Sequence, residues 1–435
     1  IISQSGTNIT IGASGDTVSL ASGASQSGFG RSGSVNWQTG SIKTATFTAA
    51  NGEGYFCNTS GGAFNITLPS SPTAGDIVAL KDYNGTFNTN NLTIDRNGSP
   101  LNGATSNFAL TVNHTSMTLV YVDGTEGWMA VEEGTGFVGE NFITASGGTI
   151  TTCGNDKIHT FTGPGTFSVS GLADVSANNQ ISYIVVAGGG GGGYYYGGGG
   201  GAGGFREDKS PTTTYTASPL DGAGDKTVTV TDYPITVGAG GGSAQYPTTC
   251  GSDGSTSSFF SITSTGGGGG GGSPSGGANG RNGGSGGGGG GRSGNTRGSG
   301  LGNEPPVSPP QGKNGGAVPS PSPDLGAAGG GAGAAAATSG PTESIRTGGV
   351  GAGTAINPAA GTPGPSGPLK YFAGGGAGGP PSSCSPGGAG GGGNYNTAGT
   401  VNTGGGAGAD TGGSSPGTNN GGGGSGIVII RYKYQ

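Results

Sequence analysis

The chain has 435 residues, of which 110 are glycine and 25 proline; only 9% are charged and the net charge is -6. This length predicts roughly two to four folding units, and the charge excludes both the basic balance of a nucleic-acid binder and the highly charged composition of ordinary disorder. The longest apolar runs are strand-sized, which excludes a membrane-spanning helix and predicts no membrane insertion.

The chain opens on Ile1 in place of Met, which predicts a fragment or a processed product. Residues 1–43 carry short alternating steps, Asn8-Ile9-Thr10-Ile11-Gly12, Thr17-Val18-Ser19-Leu20-Ala21 and Ser34-Val35-Asn36-Trp37, separated by Gly, Ala and Ser turns. Strands this short cannot bury a core alone, so they predict a β shaft wound about copies of itself.

Residues 44–140 predict a small all-β domain. Candidate strands fall at 44–48, 54–57, 64–68, 76–82, 92–96, 117–122 and 128–131, with turn signals at Pro69, Pro72-Thr73-Ala74-Gly75, Tyr83-Asn84-Gly85, Asn97-Gly98 and Asp123-Gly124. Short strands at this spacing predict a sandwich or barrel, and no helical period competes.

A glycine-rich domain is predicted over 141–435. Two alternating strands at 157–162 and 165–169, joined across Gly163-Pro164, read as a hairpin. The apolar run Ile181-Ser182-Tyr183-Ile184-Val185-Val186-Ala187 then breaks into six glycines at 188–193, and near the end four glycines at 421–424 lead into Ile427-Val428-Ile429-Ile430-Arg431-Tyr432. Short β-branched runs bounded by glycine predict two buried strands that pair and clamp the ends of the insert. With the strand-rich patches 226–237 and 258–263 they predict a β framework carrying glycine-rich inserts at 188–225, 238–257 and 264–426.

Glycine segments can be flexible coil or polyglycine counterparts of the polyproline II helix, with three residues per turn and backbones close enough to hydrogen-bond. Gly277, Gly280, Gly283, Gly286 and Gly289 recur at every third position, as do Gly387, Gly390 and Gly393, and Gly361, Gly364 and Gly367. That spacing predicts one glycine face on a three-fold helix and hence a polyglycine II bundle, in which a six-glycine run spans about 19 Å. Too few triplets surround Gly361 for a collagen triple helix. Pro305-Pro306, Pro309-Pro310 and the prolines of 319–323 read as stiff connectors.

No catalytic residue, metal site or cofactor is predicted. His114 and His159 sit in strand-like segments and read as packed or exposed strand residues. Cys57, Cys153, Cys250 and Cys384 form no CxxC pair and read as free thiols, with a single Cys250–Cys384 bridge as the alternative. Matches to GxGxxG arise by chance in such a chain, and Gly312-Lys313-Asn314 lacks the hydroxyl and the strand of a phosphate loop. The close acidic pairs, Glu132-Glu133, Glu207-Asp208 and Asp221 with Asp225, read as solvated turns.

Aromatic residues between glycine segments are the candidate binding residues. Tyr194, Tyr195, Tyr196, Phe205, Tyr246, Tyr371, Phe372 and Tyr395 fall where a bundle would place its loops, and tyrosine gives large amphipathic contact area at low entropy cost. The same rings could instead plug the bundle or pack on the β framework, and Phe259-Phe260 lean towards the core. Arg281, Arg292 and Arg297 make a locally basic stretch, read either as a solvated face or as a contact for anionic polysaccharide.

Several phrases resemble tail-fibre proteins of marine tailed bacteriophages: Gly54-Tyr55-Phe56-Cys57-Asn58-Thr59-Ser60-Gly61-Gly62-Ala63-Phe64, Leu68-Pro69, Ala74-Gly75-Asp76-Ile77-Val78, Asn91-Leu92-Thr93-Ile94 and Leu119-Val120-Tyr121-Val122-Asp123-Gly124. The run 183–193, Ile235-Thr236-Val237-Gly238-Ala239-Gly240, Ile262-Thr263-Ser264-Thr265-Gly266-Gly267 and the Ile427-Val428-Ile429 ending are similar to the glycine-rich module at the tips of such fibres. The extracellular glycine-rich module of anaplastic lymphoma kinase resembles the same layout. The resemblance implies an all-β homotrimeric fibre with a jelly-roll-like framework at its tip, located on the virion and extracellular. It also implies other virion tail proteins as neighbours and a host cell-surface glycan or outer-membrane protein as receptor. The alternatives are a self-assembling extracellular filament or matrix protein and, as an enzymatic reading, a fibre-tip depolymerase using paired carboxylates.

Overall fold

The computed structural model describes residues 35–133, 141–245, 250–272, 278–291, 296–319, 324–338, 345–379, 385–410 and 422–435. The chain divides into two compact units, Ile1–Glu140 and Asn141–Gln435, and what is described of both is all-β. The expected shaft strands before residue 35 lie outside the described residues.

The first unit shuttles between two layers. Its strands are β1 (Asn36–Trp37), β2 (Phe47–Thr48), β3 (Glu53–Cys57), β4 (Phe64–Thr67), β5 (Ile77–Asp82), β6 (Leu92–Asp95), β7 (Phe108–Leu110), β8 (Ser116–Asp123) and β9 (Gly127–Glu133). They form sheets in the orders β1-β3-β5-β8-β9 and β2-β4-β6-β7, so β1 to β6 alternate between layers before the β6-β7 and β8-β9 neighbours each stay within one, and the result is a sandwich, not a barrel. Neighbours pair in parallel along β1-β3-β5 and β2-β4-β6, then antiparallel through β7, β8 and β9. Asn36 and Trp37, expected in the shaft, are the edge strand of the first sheet.

Between the layers lie Tyr55, Ile66, Val78, Leu80, Leu92, Ile94, Leu119 and Trp128. Leu92 and Ile94 are buried while Thr93 and Asp95 are partly exposed, the alternation expected of a strand with one face on a core. Asp82, almost fully buried, accepts N–H groups from Gly85 at 2.9 Å and His114 at 2.8 Å and so ties two turns to the end of β5.

The second unit contains β10 (Thr144–Ser146), β11 (Thr149–Cys153), β12 (Asp156–Phe161), β13 (Gly165–Gly171), β14 (Gln180–Val186), β15 (Phe205–Asp208), β16 (Lys226–Thr227), β17 (Asp232–Thr236), β18 (Ser257–Phe259), β19 (Ile262–Ser264), β20 (Ala352–Thr354), β21 (Thr362–Pro363), β22 (Lys370–Phe372) and β23 (Ile427–Lys433). One sheet runs β10-β13-β17-β18-β19, a second β11-β12-β23-β14-β15 with β16 added on β14, and a small third β20-β22-β21. The clamping strands are β14 and β23, antiparallel neighbours with Ser182 opposite Arg431 and Val186 opposite Ile427.

The hairpin expected across Gly163-Pro164 is not formed. β12 pairs with β11 and β23 in the second sheet, whereas β13 pairs with β10 and β17 in the first. The turn carries the chain between layers because Phe161 and Phe167 both bury into the space between the sheets, with Tyr183, Val185, Val428, Ile430 and Phe259. The other face of β14 and β23, through Ile184, Val186, Ile427 and Ile429, packs on Phe205, Ala332, Ile356 and Phe372. A sheet covered on both sides explains why its sequence is a continuous apolar run without alternation.

The glycine segments form a lattice of extended helices. Along 188–193, Gly188 and Gly191 donate to the carbonyls of Ser255 and Ser252, Gly190 and Gly193 to those of Gly201 and Gly198, and Gly189 to that of Gly424, at 2.8 to 3.0 Å. Its carbonyls accept from Gly267 and Gly270, from Gly241 and Ala244, and from Ala407 and Asp410. Meeting the same neighbour at every third residue is the signature of a three-residue turn, and none of these glycines has positive φ. The segment 197–204 repeats the pattern: Gly198, Gly201 and Gly204 donate to Gly271, Gly268 and Thr265, while Gly200 and Gly203 donate to Ala407 and Gly404. A Cβ added anywhere along 188–193 would stand 2.0 to 2.3 Å from a neighbouring carbonyl oxygen, so only glycine fits.

Of the single glycine face expected at 277–289, Gly277 lies outside the described residues, and the rest is split between two antiparallel segments. The chain bends at 283–285, and Gly287 and Gly290 donate back to Arg281 and Ala278. A longer helix would run past its neighbours and leave buried backbone groups unpaired. Likewise Gly390 and Gly391 turn the chain with φ of 103° and 87°, and the spacing around Gly361 belongs to β21 and its turns, where Gly361 has φ of 90°. A Cβ at Gly364 would lie 2.0 Å from the Tyr371 ring, so this glycine makes room for an aromatic side chain.

Candidate functional site

The segment 188–193 leaves the sandwich at the end of β14, and 197–204 returns to the start of β15. Tyr194, Tyr195 and Tyr196 therefore turn the chain at the far end of the lattice, about 19 Å from the strands at about 3.1 Å per residue. Three bulky residues in a row cannot enter a lattice that rejects a Cβ, which is why the helix stops there. Tyr195 and Tyr196 adopt φ of 49° and 51°, a conformation costly for aromatic residues. All three are half-buried; the rings of Tyr195 and Tyr196 meet edge to face with centroids 4.6 Å apart, and Tyr194 lies 6.2 Å from Tyr195.

Other segments reach the same end. Asp410 donates its backbone N–H to Gly193 at 3.0 Å, Gly291 donates to the carbonyl of Tyr196 at 3.2 Å, Asn396 donates to Ala409 at 2.9 Å, and Tyr395 donates to Ser385 at 3.0 Å. Burial pushes the Tyr395 phenol above its ordinary pKa, and the Asp410 carboxylate and Tyr196 phenol add to the shift, which puts all three within electrostatic reach. Among the described residues, two buried polar atoms here, Ser385 Oγ and Asn396 Oδ1, have no hydrogen-bond partner. The arrangement joins phenol faces to polar groups, which suits non-covalent contact with a hydroxylated surface. Asp410, Asn396 and Ser385 had no signal in the sequence, because segments far apart in the chain bring them together.

The remaining sequence candidates divide. Phe205 is fully buried in β15, Phe372 is fully buried in β22 and Tyr371 is nearly so; Phe205 and Phe372 pack in the core behind the second sheet. These three are framework residues, because they lie at the sandwich end of the lattice and not at its loops. Arg281 is on the bundle flank, where its Nε and Nη2 pair with Asp253 at 2.7 and 2.6 Å. Tyr246, Arg292 and Cys384 lie outside the described residues.

The acidic pairs are not all solvated turns. Glu207 is fully buried; its carboxylate accepts the Ser218 N–H at 2.8 Å and the Thr354 hydroxyl at 2.6 Å, and burial pushes its pKa up to about 7. Asp208 is also buried and accepts the Gly224 N–H at 3.0 Å, with burial again raising its pKa. Both follow Phe205 in β15, and both tie the strand to the loops over it. The side chains of Glu132 and Glu133 lie outside the described residues. Arg431 and Asp156 form a buried ion pair at 2.7 Å, and Arg431 also donates to the carbonyl of Ile356 at 3.1 Å.

His159 is a packed strand residue. It hydrogen-bonds the Gly147 carbonyl at 2.7 Å and the Tyr432 hydroxyl at 3.0 Å, and burial lowers its pKa. Cys57 is a free buried thiol whose pKa burial raises to about 12. Among the described residues no three His, Cys, Asp or Glu side chains are grouped to hold a metal, and no helix is long and apolar enough to cross a membrane. Residues 161–433, more than half of the chain, match the family model described as a glycine-rich domain. No curated protein matches the chain.

Proposed function

Since the chain belongs to the glycine-rich domain family, we propose that it is the receptor-binding part of a bacteriophage tail fibre, acting by adhesion and not by catalysis. The glycine lattice is the rigid mount, and the tyrosine loop at its far end, with Tyr395 beside it, is the contact surface for a host glycan or outer-membrane protein. The observation that carries this reading is the conformation of Tyr195 and Tyr196: half-buried aromatic residues held at positive φ at the far end of the lattice. The phage assignment rests on the tail-fibre phrases of the first unit. A homotrimer on the virion would multiply weak contacts into avidity without a deep pocket.

Two measurements on the full chain test this. Light scattering across a range of concentrations should give a fixed mass of three chains; a mass that climbs with concentration would favour a self-assembling filament. Labelled protein screened against whole bacterial cells should bind some strains saturably and leave others bare, and failure across a broad panel would count against adhesion.

A further inference from the structure

A second site lies on the side of the unit, away from the tyrosine loop. Arg206, in β15, is 7% exposed, yet among the described residues its guanidinium makes a single hydrogen bond, from Nη2 to the Ser308 carbonyl at 3.2 Å. Among the described residues, its Nε is buried with no partner, and no carboxylate lies in ion-pair range. A buried cation lacking a counter-charge is costly, and such a group is normally kept only where something pairs with it. Arg206 lines a cleft of about 310 Å³ whose walls include Ser261, Thr263, Thr265 and Val307. Ser261 and Thr263 are exposed, so their hydroxyls are open to a ligand, while the Gln311 amide oxygen accepts the Thr265 backbone N–H at 2.8 Å and closes the floor.

We propose that this cleft binds a carboxylate-bearing sugar, a uronate unit, with the carboxylate on the Arg206 guanidinium and the sugar hydroxyls on Ser261 and Thr263. The planar fork of arginine matches a carboxylate in two parallel hydrogen bonds, which a spherical charge does not do. The volume falls at the small end of ligand sites, about 300–1,000 Å³, which suits one sugar ring and not a long chain. A short apolar wall from Val307 gives the ring face a surface to lie on.

Calorimetric titration of the full chain with galacturonate, galactose, acetate and sulfate tests this. Galacturonate is expected to bind, with galactose, acetate and sulfate each weaker by about tenfold or more. Arg206→Met should weaken galacturonate binding about 10- to 100-fold, and Arg206→Lys by less. Thr263→Trp, at an exposed position, should block the cleft without disturbing the fold, which keeps the test valid if Arg206→Met fails to fold. Absence of galacturonate binding, equal binding of galactose or of acetate, or full binding by Thr263→Trp would each overturn the proposal. The site is independent of the tyrosine loop: replacing Tyr194, Tyr195 and Tyr196 by alanine should leave galacturonate binding unchanged.

Discussion

Gly190 donates its backbone N–H to the carbonyl of Gly201 at 2.8 Å, and Gly201 passes the pattern on by donating to Gly268 at 2.8 Å. A Cβ on Gly190 would lie 2.3 Å from that same Gly268 oxygen. Stability of the lattice is thus a matter of backbone distance, and Gly190→Ala should cost about 3 kcal/mol or more, since backbone on both sides cannot yield. Gly242→Ala is the control: its Cβ would meet nothing within 4 Å, and little change is expected. Denaturant unfolding of the two variants gives the comparison.

The buried pair of Arg431 and Asp156 joins β23 to β12 and, through the carbonyl of Ile356, to the insert. Asp156→Ala strands a guanidinium in the interior, and a loss of about 3–5 kcal/mol is expected. Near wild-type unfolding of this variant would mean that water reaches Arg431.

Glu207 gives the fold a pH signature. Its folded pKa is raised, from 4.5 to about 7, so the folded chain holds a proton that the unfolded chain releases. The associated stability is fully present below about pH 4.5 and is lost as pH rises to about 7, with a slope of at most about 1.4 kcal/mol per pH unit. His159 has the opposite sign: its folded pKa is lowered, so its contribution is present above 6.5 and is lost as pH falls below that value. Unfolding measured from pH 4 to pH 8 in Glu207→Gln should lose the first slope and keep the second. An unchanged profile would show that Glu207 does not titrate in this range.

Tyr195 at φ 49° holds a conformation that glycine adopts freely. Tyr195→Gly should therefore leave stability unchanged or raise it by about 1 kcal/mol, while cell binding falls. A substitution that helps the fold and harms attachment would separate the purpose of this residue from its packing, and a clear loss of stability would assign it to packing.

The two clamping strands were legible because glycine marks their ends so sharply, and their lack of alternation is now explained by burial on both faces. The three-residue glycine period was legible as well, although not where each segment turns back. At Ser285 the spacing continues unbroken while the chain reverses, because segment length follows the depth of the lattice and the sequence does not print that depth. Among the aromatics, Phe205 directly precedes the strand residues Arg206 to Asp208, a cue for the sandwich end that sequence position alone could have given. Tyr371 and Phe372 had no such cue, since β20 and β21 lie in stretches rich in Gly, Pro and Ala. Arg206 was invisible for a related reason: nothing in Phe205-Arg206-Glu207-Asp208 says that all four side chains are buried.

The most direct measurement is the attachment of the Tyr194, Tyr195 and Tyr196 triple alanine variant to a bacterial strain that the unaltered chain binds, with melting temperatures recorded in parallel. Adhesion through the far end of the glycine lattice requires attachment to fall at least about tenfold, as expected when aromatic anchors are removed, with the melting temperature kept. Undiminished attachment by the stable variant would contradict it.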